Sequence, residues 1–179
     1  MVEDIAWLIF IRANSKRLPK KCYYKLQGNT ILEHLFIRAY KLGIKNKNIF
    51  LCTSIDESCD ELCKISNSLN IETIRGDEEF PIKRINNLQT KLRLKDFKYF
   101  VRICGDSPFY SFNLTIKAFN FYRKKYGDFF CLTNGRFKNF PSGMGIEVYN
   151  LCKFFKLLDS KSELNYIEHM IEIAHENEG

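Results

Sequence analysis

Six short apolar runs alternate with segments of helical apolar spacing along most of the chain, and that alternation decides what it can fold into. The runs cover residues 5–11, 49–53, 71–74, 99–104, 128–133 and 145–149. Between them, 30–42 places Ile31, Leu35, Ala39 and Leu42 on one helical face, and 56–69 does the same with Cys59, Leu62, Cys63 and Leu69. Segment 81–94 opens on a Pro, which suits a first helical turn, and 113–126 opens on Asn113 as a capping residue. A last helix is expected over 163–175, with Leu164, Ile167, Ile171 and Ala174 inward. Strands separated by helices of this length predict an α/β fold, a Rossmann-like three-layer sandwich whose mostly parallel sheet is wound by right-handed crossovers.

In such sheets ligands sit outside the carboxyl ends of the strands, so the segments that follow each strand carry the functional argument. They are 12–21, 53–56, 75–77 and 105–108. The first is distinctive. Between Arg12 and Lys25 stand six basic residues (Arg12, Lys16, Arg17, Lys20, Lys21, Lys25) and no acid, against a net charge of +7 for the whole chain. Amides released at a strand's end, together with this countercharge, suit a polyphosphate. A basic loop can equally be a solvated face. The phosphate-binding pattern G-x-x-x-x-G-K-[ST] is absent, and so is the dinucleotide pattern G-x-G-x-x-G.

A length of 179 residues with 45% apolar content suits one domain with a sizeable core, filled in large part by 16 Phe. The seven cysteines are odd in number and scattered, which reads as reduced core thiols in a cytoplasmic protein. Cys59 and Cys63 stand four apart, but no further Cys or His pair at matching spacing completes a zinc site. No apolar stretch approaches a membrane span, and Glu3 and Asp4 argue against a signal peptide. The basic balance permits nucleic acid as a partner, yet no motif for it appears: no RNP-like sequence, zinc finger or long basic helix.

The motifs, taken in order, form a recognisable series. IRxxSxRLPxK near the start is followed by ILEH, TSxDE, IRGDEE, VRICGDSP, GMGIEV and EHM. This series, from about Ile9 to His169, resembles the cytidylyltransferases that make CMP-activated acidic sugars. The nearest branch is the spore-coat polysaccharide biosynthesis protein F type, with CMP-Kdo and CMP-sialic acid synthetases as relatives. The resemblance implies a nucleotide-diphospho-sugar transferase type of fold. It implies transfer of CMP from CTP to an acidic sugar or similar acceptor in surface polysaccharide biosynthesis, with release of pyrophosphate, Mg2+ as cofactor and a homodimeric assembly.

It also implies roles for particular residues. Arg12, Ser15, Arg17 and Lys21 fall on the loop that holds the triphosphate, where Arg clamps phosphate bidentately and Lys acts as a point charge. Arg75 falls near the cytosine, Asp106 on the magnesium-binding carboxylate, and Glu147 and His169 near the acceptor pocket. Each has a structural alternative. Arg75 could pair with Glu78 or Glu79, Asp106 could cap the helix after Pro108, and Glu147 and His169 could serve packing. The aromatic-rich stretch 137–140 could form part of an interface or a flap over the acceptor.

Several positions depart from the family pattern. Asn14 and Lys20 stand where Gly is usual, and Asn tolerates a left-handed backbone better than Lys does. Ile167 replaces an Arg before the Glu-His pair. The sequence ends without the family's final segment and its second metal-binding Asp. A catalytically reduced nucleotide-binding module is therefore the alternative expectation.

Overall fold

The first apolar run becomes β1 (Ile5–Phe10), buried at every position. Ile5, Trp7 and Ile9 enter one hydrophobic core, while Ala6, Leu8 and Phe10 enter another. A strand alternates its side chains between two faces, so a wholly apolar strand must be covered on both. The computed structural model describes residues 3–15, 18–134, 141, 143–161, 163–164, 170 and 172–173. After β1 come the hairpin β2 (Lys25–Leu26) and β3 (Asn29–Thr30), then α1 (Ile31–Lys41), β4 (Ile49–Ser54), α2 (Asp60–Ser68) and β5 (Glu72–Gly76). They are followed by α3 (Pro81–Asn86), α4 (Gln89–Leu94), β6 (Tyr99–Cys104), α5 (Phe112–Tyr126), β7 (Cys131–Thr133), β8 (Glu147–Asn150) and α6 (Leu151–Ser160).

Six strands form one sheet in the order β5-β4-β1-β6-β8-β7. The pairs β5–β4, β4–β1 and β1–β6 are parallel, whereas β8 runs antiparallel to both β6 and β7. The three-layer α/β sandwich read from the sequence is thus present, with a mixed edge. Helices α1, α2 and α5 cover one face, contributing Leu35, Phe36, Leu62 and Phe119. The other face carries α3, α4 and α6, through Ile82, Ile85, Leu92, Phe154 and Phe155. Among the described residues no helix is long and apolar enough to cross a membrane.

Several local expectations need correction. The inward face of α1 is Leu32, Leu35, Phe36 and Ala39, and Leu42 is exposed. The helix starts at a capping box, in which the Thr30 hydroxyl accepts from the Glu33 amide (3.2 Å) and the Glu33 carboxylate accepts from the Thr30 amide (2.7 Å). Leu35 and Ala39 are inward as expected, while Leu32 and Phe36 take the places expected for Ile31 and Leu42. Segment 81–94 divides into two helices between Asn86 and Gln89. The cap of α5 is Ser111, whose hydroxyl accepts from the Leu114 amide at 3.3 Å, not Asn113. Helix α6 and the small hairpin had no counterpart in the sequence reading. Of the helix expected over 163–175, Leu164 and Ile173 are buried in the second core, while Ile167, Ile171 and Ala174 lie outside the described residues.

Strands β1 and β6 end together, and Gly105 is what lets them. Its amide donates to the Phe10 carbonyl at 2.7 Å. A Cβ at this position would stand 2.5 Å from Ile11 Cβ and 3.0 Å from the Phe10 oxygen. Ile11 is buried and packed, so it cannot withdraw freely. Gly105→Ala should therefore destabilise the fold by about 1–3 kcal/mol, as overpacking of a close-packed site does. Urea unfolding checks this: an unchanged midpoint would mean that the two strand ends have room to separate.

Candidate active site

The loop after β1 is closed on itself by its backbone. The Ala13 carbonyl accepts from both the Ser15 amide (3.0 Å) and the Lys20 amide (2.9 Å). Its base is held to β4, where the Ile11 amide donates to the Cys52 carbonyl at 3.2 Å, and to the β4–α2 connection, where the Ala13 amide donates to Cys59 Sγ at 3.4 Å. The turn that closes the loop is left-handed at Lys20, with φ 57° and ψ 18°. Asn14 is not among the residues of positive φ. The position that needs glycine-like freedom is therefore Lys20. Immediately after it, a short 3-10 turn over Lys21–Tyr23 fixes the start of the Lys21 side chain.

The facing lip is the connection from β5 to α3. Asp77 Oδ1 accepts from the Glu79 and Phe80 amides, each at 2.9 Å, which orders the turn into Pro81. One helical turn later Arg84 is buried, at 3% exposure. It donates from Nε to the Asp77 carbonyl (2.6 Å) and from Nη2 to the Glu78 carbonyl (2.7 Å). Arg12 Nη1 reaches that same Glu78 carbonyl at 2.8 Å and the Glu78 carboxylate at 3.3 Å. Two guanidinium groups from different lips thus converge on one backbone oxygen. Burial pushes the Arg84 guanidinium below its usual value, and the Arg12 charge adds to that. Close like charges of this kind are relieved by an anion between them.

The floor is the sheet face that also carries the second core, where β6 presents Arg102 and Cys104. Arg102 Nη1 donates to Glu147 Oε1 at 2.6 Å, and both side chains are largely withdrawn from water, at 13% and 12% exposure. Burial alone would push Arg102 down; the Glu147 carboxylate reverses this and holds the guanidinium above its ordinary value. Arg102 Nε is buried without a partner among the described residues. Burial also raises the Cys104 thiol, which keeps it protonated and a poor nucleophile. Just past the strand, Asp106 pairs with Lys21 across the cleft. The Asp106 loop is fixed in turn by Arg38 of α1, which donates to the Pro108 and Tyr110 carbonyls.

These three walls enclose a cleft of about 240 Å³ at the carboxyl ends of β1, β5 and β6. Among the described residues it is lined by four cations (Arg12, Lys21, Arg84, Arg102) and three carboxylates (Glu78, Glu79, Asp106). A larger hollow of about 720 Å³ lies at the opposite end of the sheet, beside Tyr99, Asp128 and Asn150. Its described lining carries two cations, Lys98 and Arg123, against the four of the cleft.

Of the residues named from sequence, Arg12, Ser15, Lys21 and Asp106 line the one cleft. Glu147 stands one ion pair behind it, bonded to Arg102. Asp106 does not cap α5, since Ser111 does. Arg75 is not part of the lining. Its Nε donates to the Ser54 carbonyl (3.0 Å), Nη2 to the Ile55 and Asp56 carbonyls (2.8 Å each) and Nη1 to Asp60 (2.6 Å). A base-reading Arg needs a free fork, and here the fork ties β5 to the β4–α2 connection; Glu78 and Glu79 are not its partners. Arg17, His169 and the stretch 137–140 lie outside the described residues. Arg84 and Arg102 were missed. Their signal was present, because each interrupts an apolar pattern: Ile82-Lys83-Arg84-Ile85 on a helix, and Val101-Arg102-Ile103 in a central strand.

A cytidylyltransferase family model matches residues 6–179. The chain belongs to the cytidylyltransferase family. Family membership carries nucleotidyl transfer from CTP as its general activity. An uncharacterised protein of Methanocaldococcus jannaschii, MJ1063, is 29% identical over 173 residues, a stretch that covers 97% of this chain and 68% of that one. A cytidylyltransferase from Leptospira borgpetersenii serovar Hardjo-bovis superposes with a TM-score of 0.83 at 25% identity, covering 97% of this chain and 71% of its own. A CMP:2-keto-3-deoxy-manno-octonic acid synthetase, solved in complex with CTP, shares the fold at a TM-score of 0.63 and 17% identity, over 97% of this chain and 82% of that one.

The left-handed Lys20 gives a direct test of the loop. A non-glycine residue in this conformation costs roughly 1–2 kcal/mol, partly offset by the extra unfolded-state freedom of Gly. Lys20→Gly in this cytidylyltransferase should raise stability by about 0.5–1 kcal/mol in urea unfolding. A loss of stability would show that the loop closes without strain at Lys20.

Proposed function

We propose that the cleft binds CTP with its triphosphate among Arg12, Ser15, Lys21 and Arg84, and that the protein transfers CMP to an acidic sugar or a similar acidic acceptor. What carries the reading is the placement of those four side chains opposite Asp106, at the sheet end where such folds hold ligands, in a chain of the cytidylyltransferase family. Arg17 joins the triphosphate loop by its place in the sequence motif. The acceptor hydroxyl attacks the α-phosphorus in line, and pyrophosphate departs toward Lys21. No nucleophilic side chain is needed, and the protonated Cys104 supplies none. Catalysis comes from positioning and from neutralising charge as it develops on the phosphates.

Magnesium fits this site in a specific way. Among the described residues no group of three or more His, Cys, Asp or Glu side chains could cage a metal ion. Asp106, half-exposed at the end of β6, offers a single carboxylate facing the triphosphate loop. Magnesium is commonly held by one or two carboxylates plus substrate phosphates and water, and Asp106 would be its protein ligand here. When bound, it supplies positive charge to the phosphates. Arg102, set by Glu147, marks the acceptor side of the floor; the related synthetase acts on 2-keto-3-deoxy-manno-octonic acid, an acidic sugar. His169 belongs to that side by its motif. Arg75 takes a loop-fixing role in place of base recognition. The protein would act as one domain in the cytoplasm, as a homodimer serving surface polysaccharide synthesis.

The decisive assay follows pyrophosphate release with each of the four nucleoside triphosphates, magnesium and a panel of acidic sugars. CTP alone should support release. Lys21→Ala should weaken CTP binding by about 1.5–3 kcal/mol and CMP binding much less, because its contacts belong to the outer phosphates. CTP binding with no release for any acceptor would select the catalytically reduced nucleotide-binding module instead.

A further inference from the structure

Two ion pairs cross the cleft. Lys21 Nζ meets Asp106 Oδ2, and Arg12 Nη1 meets Glu78 Oε1 at 3.3 Å. Each joins the basic loop to an acid on a facing connection. The pairs differ in one respect. Arg12 is also bonded to the Glu78 carbonyl at 2.8 Å, which holds its guanidinium in place whatever becomes of the carboxylate. Among the described residues Lys21 Nζ bonds to Asp106 alone, on a flexible four-carbon stem. The side chains remain 25% and 40% exposed, so the pair is within reach of water and holds by a factor of about five at most.

We propose that Lys21 is the resident counter-ion of Asp106, and that metal and nucleotide enter together by exchanging it. The divalent cation takes the carboxylate while the triphosphate takes the ammonium. The inference deepens the cytidylyl-transfer reading and rests on it only for which nucleotide arrives. Its physical basis is charge. A cation alone at Asp106 faces the ammonium of Lys21, and a triphosphate alone at Lys21 faces the carboxylate of Asp106. Either ligand by itself breaks the pair and strands one charge next to another of its own sign. Both together leave every charge compensated. The free cleft is therefore built to make metal and triphosphate tighten one another's binding, a coupling that must be equal in both directions.

The exchange needs only side-chain rotation. The Lys21 backbone is set by the Lys20 turn and the Lys21–Tyr23 3-10 segment, and the Asp106 backbone by the Gly105 amide on Phe10 and by Arg38. Because the two loops are fixed independently, replacing Lys21 should unmask the carboxylate without displacing it.

The test measures Mn2+, a paramagnetic substitute for magnesium, binding to the nucleotide-free full chain by electron paramagnetic resonance. Lys21→Met should bind Mn2+ at least about threefold tighter than wild type, since a like charge has been removed beside the site. Lys21→Arg keeps the counter-ion and should stay near wild type. The double variant Lys21→Met/Asp106→Asn should lose the gain. Equal or weaker Mn2+ binding by Lys21→Met, or a gain that survives in the double variant, overturns the exchange. The outcome is separable from the fate of the transfer reading. If wild type releases pyrophosphate from CTP while Mn2+ affinity ignores Lys21→Met, the exchange alone falls. If no nucleotide is turned over but the Mn2+ gain appears and depends on Asp106, the exchange stands without the transfer.

Discussion

Everything at the working end of this molecule depends on how closely β1 and β6 finish. Parallel neighbours with a direct hydrogen bond from the Gly105 amide to the Phe10 carbonyl leave no volume for a side chain between them. The basic loop that continues β1 and the acidic connection that continues β6 are thereby delivered to the same point. The sheet beneath is rigid because its central strands are covered on both faces, and β1 commits every side chain to one of two cores. A polar site on this end inherits that rigidity. Its side chains need not be long to meet, and Lys21 pairs with Asp106 directly across a sequence separation of 85 residues.

Among the described residues the cleft is electrically dense but not heavily biased, with four cations against three carboxylates. That composition distinguishes it from a generally basic surface suited to nucleic acid, where cations stand without facing acids. Arg84 and Arg102 are the expensive elements. Each is a buried guanidinium, and each is held by a different means: Arg84 by backbone carbonyls of the lip, Arg102 by the Glu147 carboxylate of the adjacent strand. A charge buried in this manner is retained only where partners fix it, and removing such a partner typically destabilises by about 3–5 kcal/mol. Glu147 therefore has a structural task beside any part it plays toward an acceptor.

The sheet and its order of elements were legible because parallel strands buried on both faces read as continuous apolar runs, and 99–104 was located to the residue. The family was legible for a different reason: its motifs lie on connections whose residues are chosen for chemistry more than packing. Side-chain direction was not legible. Nothing in IRGDEE tells whether Arg75 turns toward the cleft or back over the β4–α2 connection, where four acceptors wait for it. On α1, Ile31 and Leu42 satisfy the apolar spacing as well as Leu32 and Phe36 do, and packing against the sheet selects the second pair. Lys20 carried the opposite lesson: an oddity in the sequence proved to be a left-handed residue in the turn that closes the loop. Arg84 was passed over because a cation flanked by isoleucines on a short helix has no motif of its own.

The proposed seat of the nucleoside triphosphate, between the β1 loop and Asp106, is best tested by a crystal structure with a non-hydrolysable CTP analogue and magnesium. The phosphates should lie among Arg12, Lys21 and Arg84, with Asp106 turned from Lys21 toward the metal. An analogue seated in the hollow beside Tyr99 and Asp128, at the other end of the sheet, would contradict it.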